Sequence, residues 1–280
     1  MSNKWAEKYW DKVARSAKDE KSRIVKWREA ARNWLADYAD RRASDFVLET
    51  VENIVKLKAS AKVLDVGCGP GKWTRLFVKR CSSVTAIDLS SEMIRLAKES
   101  LGSEDLSRVN FHTMNVSELS FPPDTYDLVN CITVLQHIPT EEDWKLAVSR
   151  IVSVTKPKGK VLLYESAPGF VLKKRTAHMR IISMKEYASE FEAAGSHLVY
   201  WRGVDLSLPI TFFGLKEYAA SFNEKVRYFT TDDVHRASAS LLSYMSRAAA
   251  LLAEPLDYRL GETPLGLLSF GRLMLFEKNA

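Results

Sequence analysis

The chain has 280 residues, 46% hydrophobic and 27% charged, an ordinary balance for a soluble globular protein. Its net charge of +6 permits an anionic partner without requiring one, and no apolar run is long enough to predict a membrane span. The three cysteines lie far apart without CxxC or metal-ligand spacing, which predicts neither disulfides nor a metal centre. Free thiols and an N-terminus unlike a signal peptide favour the cytoplasm.

The first predicted elements are helices within residues 1–58, which we expect to form an N-terminal helical cap. The clearest of them is SDFVLETVENIVKL, residues 44–57, whose apolar side chains make an amphipathic stripe. Ser44 or Asp45 is its predicted N-cap, because short polar side chains at that position accept hydrogen bonds from the first helical N–H groups.

Strands and helices then alternate over the middle of the chain. The predicted strands are residues 61–67, 83–90, 108–116, a strand that begins at Tyr126, and 159–167. The predicted helices between them are residues 71–81, 90–101, with Ser90 or Ser91 as the N-cap, and 141–155, which ends at the sequence KPKG. This alternation predicts a parallel sheet that is covered by helices on both faces.

The last part of the chain adds a helix at residues 183–195 and strands at 196–204 and 269–278. Between these two strands we expect a helical insert at about residues 206–264. Its long apolar helix begins near Thr230, which has capping-box spacing to Asp233, and ends at Pro255. We therefore expect one main domain over residues 59–280 that carries this insert before its last strand.

The stretch VLDVGCGPGKWT, residues 63–74, places three glycines directly after a predicted strand: Gly67, Gly69 and Gly71. A glycine turn there lets a ligand approach the backbone closely. The spacing G-x-G-x-G differs from the dinucleotide pattern G-x-G-x-x-G, and no P-loop motif is present. Asp88 ends the next strand, where a carboxylate can bind both ribose hydroxyls, and Asp65 suits a cationic group. S-adenosylmethionine has these properties.

These motifs resemble those of the class I S-adenosylmethionine-dependent methyltransferases. VLDVGCGPG is similar to their first motif, AIDLS to their second, and MNVSEL, FPPDTYDLVNCITVLQHIP and VTKPKGKVLLYE to their third, fourth and fifth strand regions. The matches occur in order over residues 60–166, which is far more specific than one glycine loop. The resemblance implies an α/β fold with a doubly wound, seven-stranded sheet, mostly parallel with an antiparallel last strand, and S-adenosylmethionine as cofactor with no metal.

The resemblance also implies a set of cofactor-binding residues. The loop residues Gly67, Cys68, Gly69 and Gly71 would flank the methionyl moiety, Asp65 would lie near its amino group, and Asp88 would hold the ribose. The residues expected on the adenine are Leu89, Met93, Asn115, where many relatives have Asp, and Val116. Cys131 and Gln136, which are predicted to follow the fourth strand, are expected to line the cofactor or substrate side.

His137 is the candidate catalytic residue, because a histidine at the end of the fourth strand could take a proton from an acceptor hydroxyl. A structural histidine is the alternative. Glu165, at the end of the fifth strand, could orient a substrate or simply solvate the sheet edge. Cys131 lacks the Pro-Cys or Thr-Cys setting of cytosine-C5 enzymes, which favours a packing role. The Pro-Pro motif typical of amino-methyltransferases is absent, since that position reads NCIT.

The acceptor side is predicted from aromatic residues at both ends of the chain. Four of the seven tryptophans precede residue 35, and Tyr9 and Trp10 are expected to reach the site from the cap, which in this superfamily often folds over the cofactor. Aromatic residues of the insert could wall an enclosed pocket: Phe212, Phe213, Tyr218 and Tyr244, with Met245.

Such a pocket suits a small or lipid-like organic acceptor, with O-methylation favoured and N-methylation next. A methyltransferase acting on RNA or protein, which the basic segment 172–180 would serve, and a non-catalytic S-adenosylmethionine-binding protein are the alternatives. Nucleic acid is disfavoured because no RNA-binding module or aromatic stacking pattern accompanies the basic segment. The sequence makes no prediction about oligomeric state.

Overall fold

The computed structural model describes residues 3–16, 33–167, 174–175, 179–204 and 271–280. Helices α1 (Asn3–Ser16) and α2 (Asn33–Glu49) precede the sheet, and α2 continues into a π-helical turn at Thr50–Val55. The prediction of an N-cap at Ser44 or Asp45 is wrong, because α2 already begins at Asn33. Ser44 Oγ instead accepts a hydrogen bond from Lys72 Nζ at 2.7 Å, which ties α2 to the glycine loop.

The sheet has seven strands in the order β3-β2-β1-β4-β5-β9-β8. Its strands are β1 (Lys62–Val66), β2 (Ser83–Asp88), β3 (Val109–Thr113), β4 (Tyr126–Ile132), β5 (Thr155–Ser166), β8 (Ser196–Val204) and β9 (Gly271–Lys278). Strands β1 to β5 pair in parallel, and β9 runs antiparallel to both β5 and β8. The predicted fold class is confirmed. The short strands β6 (Lys174–Arg175) and β7 (Arg180–Ile181) pair separately.

Helices pack on both faces of this sheet: α3 (Lys72–Val78), α4 (Ser91–Glu99), α6 (Glu141–Val154) and α7 (Met184–Ala193). The short helix α5 (Ser103–Leu106) follows α4 and has no buried residue. Side-chain caps fix where several of the helices begin. Ser90 Oγ accepts a hydrogen bond from Met93 N at the start of α4, as predicted, and Ser183 forms a reciprocal capping box with Glu186 on α7. Among the described residues, no helix has the length and apolar character needed to cross a membrane.

Strand β5 begins earlier than predicted. It includes the sequence KPKG, because Thr155 pairs with Tyr126 before a register irregularity in β4. Lys158 adopts a left-handed φ of 61° within this extension, just before Gly159. The expected helix end is still found immediately before it, at Val154.

The core lies in two layers, one on each face of the sheet. One layer packs α6 and α7 against the sheet and includes Trp144, Tyr187 and Phe276; the other packs α2, α3 and α4 and includes Phe46 and Phe77. Large fully buried side chains in both layers agree with strands that are covered on both faces.

Several predicted features lie outside the described residues. They are the insert at about 206–264 with its capping box at Thr230, its proposed wall residues Phe212, Phe213, Tyr218, Tyr244 and Met245, and most of the basic segment 172–180. The strands on either side of the insert, β8 and β9, are antiparallel neighbours in the sheet.

Candidate functional site

The carboxyl ends of the central strands meet at one edge of the sheet. Val66 of β1 is the register partner of Ile87 on β2 and of Cys131 on β4, and Ile132 pairs with Tyr164 of β5. The glycine loop, Asp88 and the turn after β4 therefore share this edge, where open α/β sheets bind their ligands.

The three glycines of the loop have different roles. All adopt left-handed φ angles, and a side chain at Gly67 would overlap Val134, while one at Gly71 would lie 2.7 Å from Ser100 Oγ. The Cβ position at Gly69, in contrast, has no atom within 4 Å. Gly67 and Gly71 thus allow the loop to pack against the protein, and Gly69 leaves open space for a ligand.

Asp88 links the end of β2 to the glycine loop. Its Oδ2 accepts a hydrogen bond from Gly69 N at 2.9 Å, and its Oδ1 accepts one from Ser90 N at 2.9 Å. Burial raises the pKa of the Asp88 carboxyl to about 6, opposed by these two backbone bonds. Each carboxylate oxygen has a second lone pair, so the group can still accept hydrogen bonds from a ribose.

Asp65 lies behind the glycine loop. Its Oδ2 accepts a hydrogen bond from Thr74 Oγ1 at 2.6 Å and its Oδ1 accepts one from Asn130 Nδ2 at 2.8 Å. The residue has no exposed surface, and burial raises its pKa to about 6. Asp65 therefore holds the first turn of α3 against β4. A direct contact with the amino group of a ligand stays a prediction.

A tight turn follows β4 and carries two of the predicted residues. Thr133 has a left-handed φ of 56°, and a 3₁₀ turn spans Leu135–His137. The carboxylate of Glu165 accepts hydrogen bonds from the N–H groups of Val134 and Leu135 at 2.9 Å each and of Gln136 at 3.2 Å. Glu165 is fully buried, so the interpretation that it solvates the sheet edge is wrong.

His137 stands at the end of this turn and is partly exposed. Its Nε2 lies 3.4 Å from the side-chain Nε2 of Gln136, whose Oε1 accepts a hydrogen bond from Ser166 N at 2.8 Å. The indole ring of Trp10 meets the imidazole edge-on, with 5.0 Å between ring centroids. The turn thus presents the imidazole between Gln136 and the N-terminal helix.

Helix α1 lies across the same edge of the sheet. Val13 and Ala14 are buried against Met93 and Leu96 of α4. Ser90 Oγ donates a hydrogen bond to Asp11 Oδ1 at 2.5 Å, which is a contact beside Asp88. Tyr9 stacks on Trp5 with 5.4 Å between centroids and meets Trp10 edge-on. Both predicted aromatic residues of α1 therefore lie on the segment that crosses the cleft.

The residues expected around the adenine lie on the β2 and β3 side of this edge. Leu89 is partly exposed directly after Asp88, whereas Met93 is buried beneath α1. Asn115 Oδ1 accepts a hydrogen bond from Ser117 N at 3.1 Å, and this caps the 3₁₀ turn Val116–Glu118. Val116 is buried in the core layer beneath. Asn115 thus shapes the loop that an adenine would contact.

The three cysteines are free thiols that are buried in the protein interior. Cys68 is 3% exposed and Cys131 fully buried, and burial raises the pKa of both thiols well above the ordinary value. Cys131 lies within the core layer on the α6 side, so its side chain does not line the cleft in this structure. Neither thiol has the character of a nucleophile. No cluster of metal ligands occurs among the described residues.

Three carboxyl groups at the cleft, those of Asp11, Asp88 and Asp65, lie close enough to one another that the charge of one raises the pKa of the next. The charge on Asp11 raises the pKa of Asp88, and the charge on Asp88 raises that of Asp65, in each case after burial, which has the larger effect. A cationic ligand would relieve this repulsion. The open space at Gly69, the acceptor oxygens of Asp88 and the repulsion among these carboxyl groups therefore fit a sulfonium-bearing nucleoside.

Comparisons with known proteins agree with this fit. A family described as "Methyltransferase domain" matches residues 63–159. The ubiquinone biosynthesis O-methyltransferase of Coxiella burnetii is 24% identical over 182 residues, which are 64% of this chain and 74% of that protein. The protein of the same description from Xanthomonas euvesicatoria pv. vesicatoria is 36% identical over 118 residues, 41% of this chain and 47% of that protein.

The matched segment contains the glycine loop, Asp88 and the turn that carries His137. Over residues 63–159 the chain matches a methyltransferase domain and is similar to the class I S-adenosylmethionine-dependent methyltransferases. The crystal structure of the cyclase SpnF superposes with a TM-score of 0.55 at 20% identity, covering 91% of this chain and 86% of that one. At this identity the likeness concerns the fold alone.

The methyltransferase domain and the fold imply S-adenosylmethionine as the methyl donor. Within the described residues, the backbone at Gly69, the carboxylate of Asp88 and the loop capped by Asn115 lie at the sheet edge where folds of this kind bind their ligands. The turn after β4 and helix α1 bound the remaining side of the cleft.

Sequence reasoning missed two residues of this methyltransferase site and the role of a third. Asp11 was one charge among many on α1, and only the fold brings it to Ser90. Thr74 was part of the motif, but its bond to Asp65 is a tertiary contact. Glu165 was singled out, yet its bonds to the turn after β4 depend on a pairing between strands that are distant in the sequence.

Proposed function

We propose that the enzyme transfers the methyl group of S-adenosylmethionine to a hydroxyl oxygen of a small organic acceptor. The observation that carries this proposal is the position of His137: it ends the turn after β4, at the same sheet edge as Gly69 and Asp88, and it is partly exposed beside Trp10. The cofactor supplies an electrophilic methyl group on a sulfonium.

Different residues would bind the cofactor and transfer the proton. The Asp88 carboxylate would bind the ribose, the backbone at Gly69 would lie along the methionyl moiety, and Leu89, Asn115 and Val116 would meet the adenine. His137 would accept the proton of the acceptor hydroxyl, so that the oxygen becomes a better nucleophile as the methyl group is transferred. Since charge is neutralised in this displacement, alignment of the two reacting centres is the main task of the enzyme.

The relatives and the cap support a small acceptor. Both curated relatives carry names of O-methyltransferases of ubiquinone biosynthesis, which concerns a small organic compound. We propose that residues 1–58 form a cap, that residues 59–280 form the catalytic domain, and that cap and insert together enclose the acceptor. The aromatic residues Tyr9 and Trp10 would supply an apolar wall for a small or lipid-like molecule.

We also propose that the enzyme works in a reducing compartment such as the cytoplasm. All three cysteines of the chain are free thiols, and all are buried.

The test combines a substrate survey with one variant. The full chain is incubated with radiolabelled S-adenosylmethionine and separate pools of small phenols, carboxylic acids, amines, total RNA and protein. We expect label in a phenol or another hydroxyl compound. The variant His137→Gln should lower kcat on that compound by roughly 10²- to 10⁴-fold, with the affinity for S-adenosylhomocysteine within twofold of the parent.

Three results would contradict the proposal. Label in RNA or protein alone would establish a macromolecular acceptor, and tight cofactor binding without transfer to any pool would establish a non-catalytic binding protein. A His137→Gln variant with full kcat would remove this residue from proton transfer. His112→Gln is the matched control, because His112 is an exposed histidine on the edge strand β3 and should be without effect.

A further inference from the structure

The end of β5 binds the turn after β4 through four successive backbone groups. Thr133 N donates a hydrogen bond to the carbonyl oxygen of Tyr164 at 2.7 Å. The next three N–H groups, of residues 134–136, all donate to the carboxylate of Glu165 at 2.9 to 3.2 Å. One buried side chain therefore accepts three consecutive N–H groups, as an anion does at the first turn of a helix.

The turn that Glu165 holds is strained. Thr133 is β-branched, exposed and left-handed, with a φ of 56°, a conformation that such residues rarely adopt. Backbone strain of this kind persists only where surrounding contacts impose it, and it is concentrated at functional sites. The bonds from Tyr164 and Glu165 are those contacts.

The same turn determines where His137 lies. The N–H of His137 donates a hydrogen bond to the carbonyl oxygen of Val134 at 2.9 Å. His137 is the last residue of the 3₁₀ turn, so the conformation of the turn sets the position of its imidazole. Gln136 adds a second tie to β5, since its Oε1 accepts the N–H of Ser166 at 2.8 Å. A change at Glu165 would therefore move the imidazole although Glu165 itself does not reach the cleft.

We propose that Glu165 is a positioning residue: its carboxylate fixes the strained turn at 133–136 and so aligns His137 with the acceptor. This inference rests on the proposed function, because it assigns the effect of Glu165 to the proton transfer at His137. Glu165 is fully buried and would act only through the turn.

The ionised form of Glu165 suits this task better than the protonated form. An ionised carboxylate only accepts hydrogen bonds, whereas a protonated one turns one oxygen into a donor that opposes a backbone N–H. Burial raises the pKa of this carboxyl to about 8, and the three N–H bonds act in the opposite direction. The turn should therefore tighten as the pH rises through about 8.

The buried neighbours of Glu165 do not account for a change in the turn near pH 8. The titratable or charged groups that face it from the neighbouring elements are Cys131 on β4, Tyr187 on α7, with Arg180 of β7 beside it, Arg272 on β9 and His137 itself. Arg272 is its register partner, but the guanidinium lies over the ring of Trp201, 5.6 Å from the centroid. Cys131 and Tyr187 have pKa values raised by burial and stay neutral near pH 8.

The experiment measures the turn directly and the reaction separately. In the ¹⁵N-labelled full chain, the amide proton shifts of residues 134–136 are followed from pH 6 to 9.5. We expect them to titrate together near pH 8, and not in Glu165→Gln. The kcat values are measured with the substrate found in the survey above. Glu165→Gln, which keeps one oxygen that can accept hydrogen bonds, should lower kcat by about tenfold. Glu165→Leu should lower it by about a hundredfold, which is the effect expected when a reacting group such as His137 is misplaced by about 1 Å.

A control separates positioning from stability. Thr155→Val removes the bond from Thr155 Oγ1 to Ile151 O at the other end of β5, so it should lower Tm and leave kcat unchanged. Affinity for S-adenosylhomocysteine should stay within twofold for all these variants. The inference is overturned if Glu165→Leu keeps the parent kcat, or if the amide shifts of residues 134–136 in Glu165→Leu equal those of the parent.

The outcomes also distinguish this inference from the proposed function. If His137→Gln keeps full kcat, the proposed function fails, whatever Glu165 does. If His137→Gln loses activity while Glu165→Leu keeps it, the positioning role alone is wrong.

Discussion

Gly69 and Asp88 are joined by a hydrogen bond of 2.9 Å from the backbone N–H of the loop to the carboxylate at the end of β2. The bond brings the open backbone at Gly69 and the acceptor oxygens of Asp88 together before any ligand arrives. A loop that is already in place does not have to be ordered when the cofactor binds, which saves part of the entropic cost of association.

Asp88→Asn should weaken the binding of S-adenosylmethionine by about 1.5–3 kcal/mol, roughly tenfold to a hundredfold, because hydrogen bonds to an ionised group are lost. Isothermal titration calorimetry at pH 7.5 measures this change. Asp127→Asn is the control: Asp127 lies at the opposite end of the sheet, where it accepts bonds from Lys62 N and Lys156 Nζ. Equal affinities of parent and Asp88→Asn would disprove the ribose assignment.

Substitutions of two loop glycines by alanine should separate binding from folding. Gly69→Ala places its methyl group in open space and costs only the strain of a left-handed φ, about 1–2 kcal/mol. We expect the fold to be retained and cofactor binding to be largely lost. Gly71→Ala adds contacts with Ser100 and Ala97 to that strain, so its Tm should fall further. Thermal unfolding and calorimetry test both; normal binding by Gly69→Ala would place the ligand elsewhere.

Cofactor affinity should rise as the pH increases from 5 to 7. The pKa values of Asp65 and Asp88 are both raised by burial to about 6, so the free site carries protons below that pH. A cationic ligand favours the ionised carboxylates and must release these protons to bind. Calorimetry in buffers of different ionisation enthalpy should detect proton release near pH 6 and none at pH 8. A flat affinity over this range would be inconsistent with the assignment.

The same raised pKa values predict how stability depends on pH. Because both folded-state values lie above the ordinary value of 3.8, the folded chain binds more protons than the unfolded chain between about pH 4 and 6. The contribution of these groups to the free energy of unfolding therefore falls as the pH rises through that window. Urea unfolding of Asp88→Asn should show a smaller fall than the parent, and an identical slope would argue against the raised value at Asp88.

Helix α1 should respond to the cofactor, because it is docked on α4 through Val13 and contacts Ser90 and His137. We expect S-adenosylhomocysteine to slow amide hydrogen exchange in residues 5–15. Val13→Ser, which weakens the docking, should restore fast exchange and reduce affinity. Leu146→Ser, at an exposed site on α6, is the control. Exchange in α1 that is indifferent to the ligand would contradict a covering role.

The sequence predicted the sheet well, because buried strands and capped helices leave local signals. Apolar runs marked β1 and β2, and Ser90 with its spacing to Met93 marked the start of α4. The N-cap at Ser44 was wrong for a physical reason: a serine can also accept a bond from a distant lysine, and here Lys72 is that partner. Local polarity does not distinguish a cap from a tertiary contact.

The site was predicted less completely than the fold. Asp88 and the glycine loop could be placed because the motif determines their spacing from the strands. The burial of Asp65 behind Thr74 and Asn130 and the three bonds of Glu165 depend on side chains that meet only across paired strands. The left-handed Thr133 could not be foreseen either, since a threonine by itself gives no signal for that conformation.

The burial of Cys68, Cys81 and Cys131 has a practical consequence for optical work on this enzyme. Their thiols have pKa values raised by burial, that of Cys81 to about 11, so maleimide reagents should leave them unmodified at pH 7. A single cysteine introduced at an exposed position of α1, such as Lys12, would then accept a fluorophore selectively without removal of a native residue. Such a labelled chain could report movements of the N-terminal helix during turnover, one molecule at a time.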